Sequence, residues 1–197
     1  FLLLIFLLLI FLSFFFYLKM NPLIYGLIVC LTLLFLDAVS IAFLSLFTEN
    51  LYSNFTSTNL NSTQKQQLNL VVILASILLV LIAVKLFSIL VSFIIFMYDK
   101  KKFDGKYLMH QLPLTGMMFK IVNIFIFTLF VVFIALMISA INTNKMLIQV
   151  LDNISFYYYL LISFAATTLS MVASTFFIDS YRNMNNMMEL EKLEIMN

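Results

Sequence analysis

The chain is organised as long apolar runs separated by short polar stretches. A helix needs about 20 residues to cross the roughly 30 Å hydrocarbon core of a bilayer, and five runs reach that length. They lie at about 1–18, 22–47, 68–98, 118–141 and 154–178. The pattern predicts an all-α integral membrane bundle of five transmembrane helices within a single domain at 1–182, followed by a short polar, amphipathic tail at 183–197.

Composition strengthens the membrane prediction. Hydrophobic residues make up 64% of the 197 positions and charged residues only 10%, and the mean hydropathy is +1.11. Soluble domains are typically about 45–50% apolar and about 25% charged, and a soluble fold of this size could not bury so much apolar surface. Phe, Ile, Leu, Asn, Tyr and Met are abundant whereas Trp is absent. This bias follows A+T-rich codons and suggests an organelle-encoded protein.

The distribution of positive charge predicts an orientation. Of the 11 Lys and Arg residues, Lys85 lies inside a span, eight lie on one side of the membrane and only Lys65 and Lys145 lie on the other. The basic side contains the first loop, the third loop with its helix flank, and the tail. Because Lys and Arg concentrate on the cytoplasmic or matrix side, we expect the N-terminus to face outward and the C-terminus to face inward.

Two ionisable residues lie well inside apolar spans, namely Asp37 in the second span and Lys85 in the third. A charged group in the membrane interior costs several kcal/mol, so it usually faces protein or water and often marks an ion path. One interpretation is a proton relay or a water-filled cavity. A second is a structural Asp–Lys pair between the two spans, and a third is that the Lys85 side chain snorkels to the interface.

Small residues recur at intervals of three and four along the fifth span. They are Ser163, Ala166, Ser170 and Ser174, with Thr167 and Ala173 beside them. Small side chains let helices approach closely in lipid, where close packing drives association. We therefore expect this face of the fifth span to pack against other helices.

The sequence offers no catalytic constellation. No Gly-rich phosphate loop, partnered nucleophile or metal-ligand spacing occurs, and a single Cys and a single His limit metal and haem chemistry. A net charge of +2 gives no indication of nucleic-acid binding. We therefore expect no catalytic residue, no metal and no cofactor bound by this chain itself.

The start of the second span carries a recognisable pattern. It reads KMNPLIYG at 19–26, and FLDA follows at 35–38. This resembles subunit 6 of NADH:ubiquinone oxidoreductase, respiratory complex I, in which a Lys-Asn-Pro element opens the second helix and an Asn-Ala pair follows. Met20 interrupts the element here, and Asp37 stands where Asn is usual. The family also has five spans, with the third-to-fourth loop on the matrix side.

The resemblance implies a role for the third span. In the family this span carries a Tyr-Val-Gly-Ala-Ile-Ala element with a π-bulge thought to switch during turnover, and the nearest match here is KLFSILV at 85–91. The Tyr and Gly are absent from this stretch. The candidate switch segment consists of Lys85, Leu86, Phe87, Ser88 and Ile89.

The resemblance further implies a core membrane-arm subunit of the mitochondrial inner membrane that helps couple quinone reduction to proton translocation. The N-terminus would face the intermembrane space and the C-terminus the matrix. FMN, iron–sulfur clusters and ubiquinone would belong to the parent complex, and the partners would be its other membrane subunits and lipid, with cardiolipin a candidate. We then expect Lys85→Leu to impair proton pumping more than assembly.

Two other classes of protein remain open. The chain could be a structural accessory subunit of another mitochondrial respiratory complex or of ATP synthase, in which case Asp37 and Lys85 would pair tightly in a dry interface. It could also be a small transporter, although the absence of an internal repeat and of Gly- or Pro-broken helices is unfavourable to that reading.

Overall fold

A computed structural model of the chain describes residues 22–57, 61–99, 117–143 and 157–176. These residues form four α-helices, and each helix is long and apolar enough to cross a membrane. The helices are α1 (Pro22–Ser57), α2 (Ser62–Asp99), α3 (Met117–Thr143) and α4 (Tyr157–Phe176). They correspond to the second to fifth predicted spans, so the prediction of an all-helical, multi-pass chain is borne out for these four. The first predicted span, at 1–18, and the tail at 183–197 lie outside the described residues.

Helices α1 and α2 are longer than the predicted spans. With 36 and 38 residues they extend about 54 and 57 Å, against roughly 30 Å of hydrocarbon. Most of the polar connection predicted at 49–67 is in fact helical, since α1 continues to Ser57 and α2 begins at Ser62. The end of an apolar run therefore indicates where the lipid-facing part of a helix ends, and the helix itself continues beyond it. No Gly or Pro occurs between positions 27 and 104 to interrupt either helix.

Local sequence accounts for where two of the helices begin. Pro22 stands at the first position of α1, where its missing N–H and restricted φ do no harm. Asn61 directly precedes α2, and its carbonyl accepts the first helical hydrogen bond from the Lys65 N–H at 3.0 Å. Asn is among the preferred residues at this capping position.

The contacts between helices show that successive helices run antiparallel. Cys30 early in α1 clusters with Ile89 late in α2, whereas Leu51 late in α1 shares a cluster with Leu68 early in α2. Likewise Asn123 near the start of α3 meets Ser174 near the end of α4, and the later Phe130 meets the earlier Phe164. We call the end where α1 and α3 begin and α2 and α4 end the basic end, because the lysines at 100–102 and 106 follow α2. The opposite end, where α1 turns into α2, is the turn end.

Two apolar clusters form the core. The large cluster lies towards the turn end, and the small cluster lies towards the basic end. The buried residues of the large cluster are Leu44, Phe47, Leu51, Leu68, Val71, Ala75, Leu78, Ile82, Ile126, Phe130, Phe133 and Met137. Those of the small cluster are Cys30, Leu33, Ile89 and Phe119. The outer faces of the helices are also apolar, for example at Val80 and Phe87. The bundle therefore suits a lipid or subunit environment on its outer faces.

Candidate functional site

The two ionisable residues singled out in the sequence meet in the middle of the bundle. Lys85 Nζ donates a hydrogen bond to Asp37 Oδ1 at 3.1 Å, and the pair forms a salt bridge between α1 and α2. Asp37 is 0% exposed and Lys85 is 1% exposed. Lys85 therefore does not snorkel to an interface, and it neutralises a carboxylate inside the apolar bundle.

A serine of α4 completes this arrangement. Lys85 Nζ also donates to Ser170 Oγ at 2.7 Å, so the ammonium ties together α1, α2 and α4. The Ser170 hydroxyl lies near the carboxylate as well. Nevertheless Asp37 Oδ2 has no partner with hydrogen-bond geometry among the described residues. An ammonium group has three donors, and the described part of the chain occupies two of those of Lys85.

A cluster of hydroxyl groups lies one turn closer to the turn end. Ser40 Oγ of α1 lies 2.6 Å from Thr167 Oγ1 and 3.1 Å from Ser163 Oγ of α4. The Ser163 hydroxyl donates to the Ser40 carbonyl at 3.0 Å, and the Thr167 hydroxyl donates to the Ser163 carbonyl at 2.9 Å. These uncharged bonds join α1 to α4 and leave each hydroxyl partnered.

A third polar contact lies on the basic side of the charge pair. Asn123 Nδ2 of α3 donates to Ser174 Oγ of α4 at 3.1 Å, and the Ser174 hydroxyl donates to the Met171 carbonyl at 2.8 Å. Asn123 is buried, and its carbonyl oxygen Oδ1 has no hydrogen-bond partner in the described residues. This is a second buried acceptor without a partner.

The three groups of contacts form one polar column along α4. Its positions 163, 167, 170 and 174 lie on one helical face and span about 16 Å at 1.5 Å per residue. The face meets α1 at Ser40, α2 at Lys85 and α3 at Asn123. All four predicted packing residues of the fifth span, Ser163, Ala166, Ser170 and Ser174, are buried. The serines among them also hold the polar column together.

The candidate switch segment 85–89 is α-helical throughout, within the uninterrupted helix α2. Lys85 and Ile89 point into the bundle, whereas Phe87 is 65% exposed. The Ser88 hydroxyl donates to the Val84 carbonyl of its own helix at 3.1 Å. The segment has no π-turn, and among the described helices Lys85 makes its polar link to the neighbouring helices.

The side chains that meet at this site are groups that can carry protons. No group of three or more His, Cys, Asp or Glu residues that could hold a metal ion occurs within the described ranges. A carboxylate and an ammonium in contact, flanked by hydroxyls, can share and pass on protons. The same contacts also stabilise the packing of three helices.

Sequence reasoning missed two members of the column, Ser40 and Asn123. Each carried a signal, because Ser40 lies three residues after Asp37 on the same helical face. Asn123 is an amide inside the fourth apolar span. Polar residues within spans tend to form contacts between helices.

No protein-family model, no curated protein and no solved structure matches this chain. The fold and the polar column therefore stand on the structure itself. The resemblance to subunit 6 of complex I stands on the sequence pattern at 19–26 and 35–38.

Proposed function

We propose that this chain is a membrane subunit of a proton-translocating NADH:ubiquinone oxidoreductase, in which its buried charge pair takes part in coupling quinone reduction to proton translocation. The observation that carries this proposal is the Asp37–Lys85 salt bridge, fully buried midway along membrane-spanning helices. The sequence pattern at 19–26 supports the choice of complex I.

The cost of the charges favours a functional role for them. Helix association in lipid needs only small side chains and uncharged hydrogen bonds, and the Ser40, Ser163 and Thr167 contacts already supply these. Ionisable groups in the membrane interior are expensive and commonly mark proton or ion pathways. A carboxylate that keeps one oxygen without a partner is suited to exchanging a proton.

The proposed function implies a location in the cell and a set of partners. We place the chain in the mitochondrial inner membrane, with its basic end towards the matrix. The exposed apolar faces of the four described helices would then contact lipid, including cardiolipin, and the other membrane subunits of the complex. FMN, iron–sulfur clusters and ubiquinone would be bound by other subunits.

A second candidate is a structural accessory subunit of another respiratory complex or of ATP synthase. The observation that favours it is the direct 3.1 Å contact between two fully buried partners, because a tight, dry pair is what a purely structural tie requires. In that case the charges would specify which helices pair, and neutral side chains of similar size could replace them.

Purification of the chain in mild detergent tests the choice of complex. Companion subunits that carry flavin and iron–sulfur centres are expected, whereas rotary subunits would assign the chain to ATP synthase. Replacing both charges, in Asp37→Leu/Lys85→Leu, then separates the two roles of the pair. A relay predicts an assembled complex that no longer pumps protons, and a structural tie predicts normal pumping.

A further inference from the structure

In the described helices, the two ends of the polar column meet apolar clusters of different size. Towards the turn end it meets the large cluster, whose rings pack on one another, with Phe47–Phe133 and Phe130–Phe164 centroids 5.8 and 5.4 Å apart. Towards the basic end it meets the small cluster of four buried residues, one of which is Cys30. Among the described residues, the apolar packing next to the column is therefore thinner at the basic end than at the turn end.

The two acceptors without partners lie on that same side of the column. Asp37 Oδ2 lies in the charge pair, at the height of Ser170 along α4. Asn123 Oδ1 lies at the height of Ser174, closer to the basic end. These levels are four residues apart on α4, or about 6 Å. At the turn end, by contrast, the hydroxyls of Ser163 and Thr167 both have partners.

Unpartnered buried acceptors are costly, and ordered water is their usual partner when protein supplies none. A water molecule donates two hydrogen bonds and accepts others. It can therefore donate to the carboxylate oxygen of Asp37 and the amide oxygen of Asn123, and accept from the third donor of the Lys85 ammonium. The two levels lie about 6 Å apart along α4, a distance that one or two hydrogen-bonded water molecules can bridge.

We propose that water enters the bundle only from the basic end, past Asn123 and Ser174, and hydrates the Asp37–Lys85 pair, while the large cluster seals the turn end. The pair then communicates with one side of the membrane. This inference rests on the proposed proton-transfer role of the pair, and it adds the direction from which protons reach it.

A matched pair of cysteine variants tests the direction of access. Ser174→Cys and Ser163→Cys place thiols at two fully buried positions of α4, one at each end of the column, in a Cys30→Ala background. A membrane-impermeant methanethiosulfonate reagent is added to either side of sealed vesicles that contain the native assembly. Cys30→Ala alone sets the background, and the assembled fraction of each variant is measured by native gel electrophoresis.

We expect Ser174→Cys to be modified from the basic side at least about ten-fold faster than Ser163→Cys from either side, which corresponds to about 1.4 kcal/mol in the activation free energy of modification. Asn123→Cys provides a second reporter at the same level and should behave like Ser174→Cys. Equal rates at both positions, faster modification from the turn side, or no modification of either basic-end thiol would overturn the inference.

The labelling requires no turnover, so its result is separate from that of the proposed function. If the two thiols react equally while the charge-pair variants still lose proton pumping, the direction of access is wrong and the proton-transfer role stands. If labelling is one-sided while pumping survives loss of both charges, the access route exists and the relay does not.

Discussion

Removing Lys85 alone should destabilise the bundle far more than removing both members of the pair. In Lys85→Leu the ammonium and its bonds to Asp37 Oδ1 and Ser170 Oγ disappear. The Asp37 carboxylate, which is 0% exposed, then has no hydrogen-bond partner for either oxygen except through the nearby Ser170 hydroxyl. A buried charge left without its partner is the costly outcome.

The size of this effect follows from two independent considerations. Breaking a buried salt bridge by removing one partner costs about 3–5 kcal/mol. Placing an unpaired Asp at the centre of a transmembrane helix costs about 2.5–3.5 kcal/mol. Both point to about 3 kcal/mol for Lys85→Leu, a roughly hundred-fold shift in the folded population. The buried pair thus changes the expectation drawn from the sequence, because assembly should fall together with pumping in this variant. The double variant Asp37→Leu/Lys85→Leu leaves no unpaired charge, and we expect it to lie within about 1 kcal/mol of the native chain.

The assay combines stability with function on the same preparations. Thermal unfolding of the solubilised assembly reports the loss and its recovery, and proton pumping in reconstituted vesicles is expressed per assembled complex. Thr128→Val is the control, because Thr128 is an exposed residue of α3 whose hydroxyl, among the described residues, bonds the Ile124 carbonyl of its own helix. A Lys85→Leu variant as stable as this control would refute the argument that the pair is buried and charged. A double variant that pumps normally would refute the relay.

Three further substitutions probe other parts of the bundle. Ser170→Ala removes the acceptor of a charge-assisted bond and should cost about 1.5–3 kcal/mol in thermal unfolding, whereas Thr128→Val should cost almost nothing. Ser163→Leu forces α1 and α4 apart and should lower the yield of assembled protein, whereas Ser163→Ala, which keeps the close approach, should largely preserve it. Phe130→Ala opens a void in the large cluster, with an expected loss of about 3–5 kcal/mol. If water is excluded at this end as proposed, the same variant should let thiol reagent reach Ser163→Cys from the turn side, and continued protection there would contradict the seal.

The sequence was most informative about single residues in their local setting. Asp37 and Lys85 stand out because each interrupts a long apolar run, and the serines of the last span stand out by their spacing. Both observations need only the neighbouring residues. The ends of α1 and α2 were harder to place, because polar segments such as 49–57 lie outside the apolar span and are still helical.

The column itself could not be derived in the same way. Its bonds join residues 48, 51, 85, 123 and 127 positions apart in the chain. Whether Lys85 would reach Asp37, snorkel or face a cavity depends on how far each helix is rotated about its axis. Asn123 gave no sign of its partner, since a single amide in an apolar span is compatible with many neighbours.

By itself, then, the sequence determined that the four described segments are helices apolar enough for a lipid environment. It also determined which few polar side chains lie within those apolar helices. Transfer of a side chain from water to hydrocarbon is a local free energy that adds along a segment, so it can be read from residue order. The tertiary structure decided which face of each helix is inside. Because these helices are apolar on nearly every side, no stripe of hydrophobic residues specifies that face, and it is the pairing of their rare polar groups across helices that does so.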